Sequence, residues 1–177
     1  RRGGDNFASP RAQPAQTDIM ADDKIHAAFK QLGITCQTLE HVEVPTVEAG
    51  LAATASLGAG KKFAFAKNML MNDKKAGLFL LTVGAQQKVD TKQLPTMLGG
   101  IASSNNFRFA KDTQLDETLA VKQGSVSPLA VMNDTGNKVT LVIDKPLLDA
   151  ETIGVHPLRS DKKCAGTPHA TGGSPGG

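Results

Sequence analysis

The chain has 177 residues and a formal net charge of +3. This length is typical of one domain, and the charge is too small for a protein built around a basic stripe for nucleic acid. Trp and Tyr are absent and only seven Phe are present, so stacking platforms for single-stranded bases are scarce and any RNA contact is expected to be small.

Both ends of the chain are rich in Gly, Pro and small polar residues and lack an apolar period. We therefore predict a disordered leader over 1–20, one domain over 21–158 and a flexible tail over 159–177 that carries no chemistry. Cys36 and Cys164 are far apart and have no further Cys or His at metal spacing. We expect neither a disulfide framework nor a zinc site and, with no membrane span or signal-peptide pattern, a cytoplasmic protein.

The first predicted elements alternate between helix and strand. Apolar residues at helical spacing predict a helix over 21–32, which Gly33 ends. The alternating, β-branched stretch 34–40 predicts a strand. Thr46 can cap a second helix, which ends before Gly58.

The middle of the chain predicts a hairpin followed by a short helix. Two apolar runs, 62–71 and 78–83, are separated by a short polar segment that ends in glycine. Asp90 is then a candidate N-cap for a helix that runs through Leu98, although Pro95 must lie early in that helix or break it.

The last third of the chain predicts mainly strands. A short strand over 107–110 precedes a helical stretch over 115–121. The runs 129–132 and 138–143 flank a turn and predict a second hairpin, and 153–156 is one more strand. The element order predicts an α+β fold with a mixed, largely antiparallel, twisted and barrel-like sheet, and with helices packed around it.

Four polar side chains occur where chemistry could be carried out. Lys67 and Asn68 interrupt the apolar strand of the first hairpin, although alternation alone would let Lys67 lie on the solvent face. His156 ends the last strand, and His41 precedes a proline. An imidazole there can bind a substrate group or transfer a proton, or it can be an ordinary surface histidine.

The loop from Gly124 to Pro128, which includes Ser125 and Ser127, is a further candidate for a functional role. Several backbone N–H groups of such a loop can point in one direction and bind an anion or a developing oxyanion. The same residue types also form plain connecting turns.

Taken in order, these segments resemble the YbaK/ProX family of aminoacyl-tRNA deacylases, which is related to the editing domain inserted in bacterial prolyl-tRNA synthetases. The resemblance runs from about Lys24 to Pro157 and is carried by the following segments: Glu40–His41, Thr46–Glu48, Lys67–Asn68, Leu78–Leu81, Lys88–Lys92, Gly124–Pro128, Asn133–Asp134, Val142–Asp144 and His156–Pro157. Within the family, the chain is most similar to the branch that deacylates alanyl-tRNA(Pro), and the cysteinyl-specific branch is the nearest rival.

The resemblance implies a cofactor-free and metal-free ester hydrolase that acts on the acceptor end of tRNA(Pro). It implies catalytic roles for Lys67, Gly124 and His156. It also implies substrate-binding roles for Asn68, His41, Ser125, Ser127 and Pro128. The water is expected to be activated with help from the terminal ribose hydroxyl of the tRNA, so no catalytic dyad is required, and selectivity is expected to come from pocket size.

Two alternatives share this resemblance. One is a cysteinyl-tRNA(Pro) deacylase, and the other is a non-catalytic module that binds aminoacyl-tRNA or docks on a synthetase. An aminoacyl-tRNA synthetase is therefore a candidate partner, whereas DNA and membranes are not expected. After Pro157 the chain departs from the family pattern, because Arg159 and a Gly-rich tail replace the usual closing helix.

Overall fold

The computed structural model describes residues 16–32, 34–41, 49, 52, 55–58, 63–102 and 107–167. The helices and strands in chain order are α1 (Gln16–Leu32), β1 (Cys36–Glu40), β2 (Phe63–Asp73), β3 (Gly77–Gly84), α2 (Leu94–Met97), β4 (Arg108–Phe109), α3 (Asp112–Leu119), β5 (Val139–Ile143), α4 (Lys145–Leu148), β6 (Thr152–Val155) and β7 (Lys162–Gly166). Two 3-10 helices cover Ala55–Gly58 and Pro128–Asn133.

The seven strands form one mixed sheet in the order β1-β7-β6-β2-β3-β5, and β4 pairs with β2 outside this path. The β2–β6 and β3–β5 pairs are parallel, and the other pairs are antiparallel. The predicted α+β fold with a largely antiparallel sheet is confirmed. Pairing between the end strands β1 and β5, which would close a barrel, is not found in the described part of the chain.

The β2–β3 hairpin is confirmed and forms the centre of the core. On one face of the hairpin, Leu70 and Leu80 are buried together with Leu119 of α3. On the opposite face, Met71 and Phe79 belong to a second buried cluster. Because both faces are covered, the two strands are apolar at nearly every position instead of alternating.

The predicted second hairpin is wrong. Residues 129–132 belong to the 3-10 helix Pro128–Asn133, and β5 pairs in parallel with β3. The reason lies at the start of the 3-10 helix. The Ser127 hydroxyl accepts a hydrogen bond from the Leu129 N–H, and Pro128 occupies the first turn. Both are signals for the start of a helix, and here they outweigh the strand preference of the residues that follow.

The predicted boundaries at both ends of the domain also need correction. Helix α1 begins at Gln16, inside the predicted leader, and β7 lies inside the predicted flexible tail. Cys164 in β7 is joined to Cys36 by a disulfide across 5.8 Å between the Cα atoms, so the expectation of no disulfide is wrong. Strand β7 is held in the sheet by backbone pairing with β1 on one side and β6 on the other. It therefore forms although its sequence has no clear apolar period.

Other differences concern helix ends. Asp90 does not cap a helix, because its carboxylate accepts from the Lys92 N–H in a turn and α2 begins only at Leu94. Pro95 lies in the first turn of α2, where a missing N–H is tolerated. The second helix predicted from Thr46 lies largely outside the described residues. In the described ranges, no helix is both long and apolar enough to cross a membrane.

Candidate active site

A cavity of about 340 Å³ lies where β2, the loop after α3 and the β6–β7 turn meet. Of the predicted site residues, the structure brings five to its wall: His41, Lys67, Asn68, Gly124 and His156. Ser125, Ser127 and Pro128 are not among the lining residues. The cavity thus joins segments that are far apart in sequence.

Lys67 projects from β2 into this cavity wall and is partly buried. Its ammonium donates a hydrogen bond to the Gln87 carbonyl oxygen, just beyond the end of β3. An ammonium has three N–H donors, so one bond to Gln87 leaves two for another acceptor. The interpretation of Lys67 as an ordinary solvent-face residue is therefore not supported by its position.

Asn68 is occupied by two hydrogen bonds within the protein. Its amide nitrogen donates to the Val126 carbonyl oxygen at 3.0 Å, and its amide oxygen accepts from the Thr82 hydroxyl at 2.9 Å. Thr82 is only 1% exposed. Asn68 therefore connects the loop that contains Val126 to the β2–β3 hairpin. This positioning role is additional to the substrate contact that the resemblance implies.

Gly124 lies in this loop with a backbone φ of 89°. A Cβ atom built there would lie 3.8 Å from the Ser160 Cβ, which is ordinary contact. The positive φ, rather than lack of space, is thus what favours glycine at this position. Ser127 is fully buried, and its hydroxyl caps the following 3-10 helix. It therefore stabilises the end of the loop.

In its neutral form, the His156 imidazole has a defined tautomer. Its Nδ1 atom lies 2.9 Å from the Lys162 carbonyl oxygen. A carbonyl can only accept, so Nδ1 carries the proton and Nε2 keeps a lone pair. Burial is the main cause that lowers the pKa of His156, and the neighbouring Lys163 and His41 lower it further. The His41 ring centroid is 6.2 Å from that of His156.

Lys163 is a cavity residue that the sequence did not reveal. It lies in β7 and is only 6% exposed, with Nζ 4.7 Å from the centroid of the Phe65 ring. Burial lowers the pKa of its ammonium. The surrounding sequence is polar and Gly-rich, so no sequence signal distinguishes Lys163 from a lysine in a solvated tail.

Other cavity residues were also not foreseen, namely Ser160, Gln123 and Phe109. Phe109 is 70% exposed although it is a large apolar side chain. Among the described residues, no group of three or more His, Cys, Asp or Glu side chains could hold a metal ion. The cavity instead combines ammonium groups with a neutral imidazole, an arrangement that can bind an oxygen on which negative charge develops.

Comparison with known proteins agrees with this fold. The family model described as the aminoacyl-tRNA editing domain matches residues 41–170. The chain therefore belongs to the aminoacyl-tRNA editing domain family, as the resemblance implied. The match continues past residue 158, in agreement with the presence of β7.

Two relatives and one solved structure illustrate the likeness. The chain is 35% identical over 146 residues to the prolyl-tRNA synthetase associated domain-containing protein 1 of Bos taurus, covering 78% of this chain and 81% of the relative. It is 29% identical over 141 residues to the prolyl-tRNA editing protein ProX of Acetoanaerobium sticklandii, covering 79% and 81%. A crystal structure described as a candidate trans-editing enzyme for prolyl tRNA synthetase has a TM-score of 0.62 at 16% identity, covering 88% of this chain and 89% of that one. The last likeness concerns the fold alone.

Proposed function

We propose that this chain hydrolyses the ester bond of mischarged aminoacyl-tRNA and that alanyl-tRNA(Pro) is its main substrate. The observation that carries the proposal is the cavity wall shared by Lys67, Gly124 and His156. These residues come from β2, from the loop after α3 and from the end of β6. Membership of the editing family and the prolyl-tRNA names of its relatives support the substrate class.

The reaction needs little more than charge stabilisation. A water oxygen attacks the ester carbonyl carbon and releases one proton. The bond between that carbon and the terminal ribose oxygen then breaks, and the ribose oxygen takes up the proton. The ammonium donors of Lys67 that Gln87 does not use can bind the carbonyl oxygen as it becomes negative. One preorganised donor of this kind contributes about 3 to 4 kcal/mol to the barrier reduction.

The other cavity residues orient the substrate. The unprotonated Nε2 of His156 can accept a hydrogen bond from the α-amino group of the amino acid. The backbone around Gly124 lines the aminoacyl side, where a proline ring adds bulk that a space fitted to alanine excludes. Phe109, exposed beside the cavity, offers one apolar ring for stacking on a base of the acceptor end.

A deacylation assay tests the proposal and separates the alternatives. Proline tRNA is charged separately with alanine, cysteine and proline, and the release of each amino acid is measured with and without the protein. We expect alanine to be released much faster than proline and faster than cysteine. Preference for cysteine would support the cysteinyl-specific alternative. Binding of the charged tRNA without release of any amino acid would support the non-catalytic module and overturn the proposal.

A further inference from the structure

We propose that Lys163 is a further catalytic residue of this cavity, whose ammonium donates to the ester carbonyl oxygen of the bound aminoacyl group. The inference rests on the proposed function. Lys163 lines the cavity together with Lys67 and His156. The β6–β7 register pairs Val155 with Cys164, so the next position along the two strands places Lys163 beside His156.

None of the described residues supplies an acceptor for the Lys163 ammonium. In the described part of the chain it forms no hydrogen bond or ion pair, and its one contact of note is with the face of the Phe65 ring. By contrast, the Lys67 ammonium is held by the Gln87 carbonyl. The residue is only 6% exposed and lines the cavity, and Nζ is not fully enclosed. A largely desolvated charge without a polar partner is unfavourable for the folded state. An acceptor supplied by a ligand in the cavity would satisfy it.

The chemistry of the substrate indicates which atom that acceptor is. The α-amino group of the amino acid is a donor and can be charged, so an ammonium would repel it. Backbone phosphates of the tRNA are strongly hydrated and do not favour a site this deeply buried. The ester carbonyl oxygen is an uncharged acceptor in the bound substrate and becomes negative during attack. It therefore suits a buried donor that has lost most of its water.

Lys163→Met tests the inference, because methionine keeps the long side chain against Phe65 but removes the donors. Lys74→Met, in the exposed β2–β3 turn, is the control. We expect Lys163→Met to lower the single-turnover rate on alanyl-tRNA(Pro) by about a hundredfold or more. Binding of uncharged tRNA(Pro) should be unchanged, and the midpoint of thermal unfolding should be unchanged or raised, because an unpaired buried charge is gone.

The pH profile gives a readout that a structural role would not affect. The Lys163 donor carries the positive charge that stabilises a developing oxyanion only when it is protonated, and its pKa lies below the usual range because it is buried. After subtraction of spontaneous hydrolysis, the wild-type rate should fall at alkaline pH as this group loses its proton, and the residual rate of Lys163→Met should lack that step.

Each contrary outcome is decisive. A normal rate for Lys163→Met would overturn the inference, and so would a variant that fails to fold, since the ammonium would then be needed for structure. Equal weakening of uncharged tRNA binding would assign the contact to a phosphate instead of the ester. Failure of the proposed function is a different result, in which the wild-type protein itself releases no amino acid from any charged tRNA(Pro).

Discussion

The Asn68 side chain donates a hydrogen bond to the carbonyl oxygen of Val126 across 3.0 Å and connects the central hairpin to the loop that carries Gly124. The same amide accepts from the Thr82 hydroxyl. One side chain thus links two strands and the cavity loop. This explains why a polar residue interrupts the apolar sequence of β2.

Asn68→Leu should lower the free energy of unfolding by about 1 to 3 kcal/mol, because it leaves buried polar groups without partners. Thr82→Val alone should cost less. In the double variant the two changes should be less than additive, since the pair is removed together. Urea unfolding of all four proteins measures the coupling. Strict additivity would show that the Asn68–Thr82 contact contributes nothing.

Lys67→Met should lower the single-turnover deacylation rate on alanyl-tRNA(Pro) on the order of a hundredfold. The stability should fall by no more than about 1 kcal/mol, which is the contribution of the single hydrogen bond to Gln87. Circular dichroism and thermal unfolding report the fold independently of the rate. If the folded variant hydrolyses at the normal rate, Lys67 has no role in the reaction.

Gly124→Ala should reduce both stability and rate, whereas Gly77→Ala should reduce stability alone. The two glycines have nearly the same backbone φ, 89° and 90°, so the strain of adding a Cβ should be similar, about 1 to 2 kcal/mol. Gly77 is the first residue of β3, directly after the hairpin turn, with nothing within 4 Å of the added atom, and it is not a cavity residue. A rate loss of equal size in both variants would indicate a general effect of destabilisation.

His156 should make both stability and rate depend on pH below 6.5. Its pKa in the folded protein is lowered from the ordinary histidine value of 6.5, mainly by burial, so the unfolded chain takes up a proton first as the pH falls. The free energy of unfolding therefore decreases through the window between 6.5 and the lower folded-state pKa, and this stabilisation is fully present above 6.5.

His156→Gln should remove this part of the pH dependence. The wild-type rate should also fall with acid as Nε2 gains a proton and can no longer accept a hydrogen bond. Chemical unfolding and deacylation, each followed from neutral to acidic pH for both proteins, test the two statements. Parallel curves for wild type and variant would mean that another group titrates.

Local patterns in the sequence predicted a large part of this protein. The apolar runs of β2 and β3 with a polar turn between them predicted the hairpin, because alternate side chains and turn residues act over a few positions. Polar Lys67 and Asn68 within such a run, and the loop at Gly124, were recognisable for the same reason. Five predicted site residues do line the cavity: His41, Lys67, Asn68, Gly124 and His156.

Tertiary structure decided the features that depend on contacts between residues far apart in the chain. Strand β7 exists because β1 and β6 supply backbone hydrogen bonds on its two sides, and its polar sequence carries no trace of that pairing. Lys163 lines the cavity because β7 is part of the sheet. Strand β5 forms no hairpin because it pairs in parallel with β3. Side-chain periodicity is a local property, whereas strand pairing joins residues far apart in the chain. The sequence alone therefore revealed the residues of the hairpin and loop, and only the folded chain revealed the strand that completes the cavity.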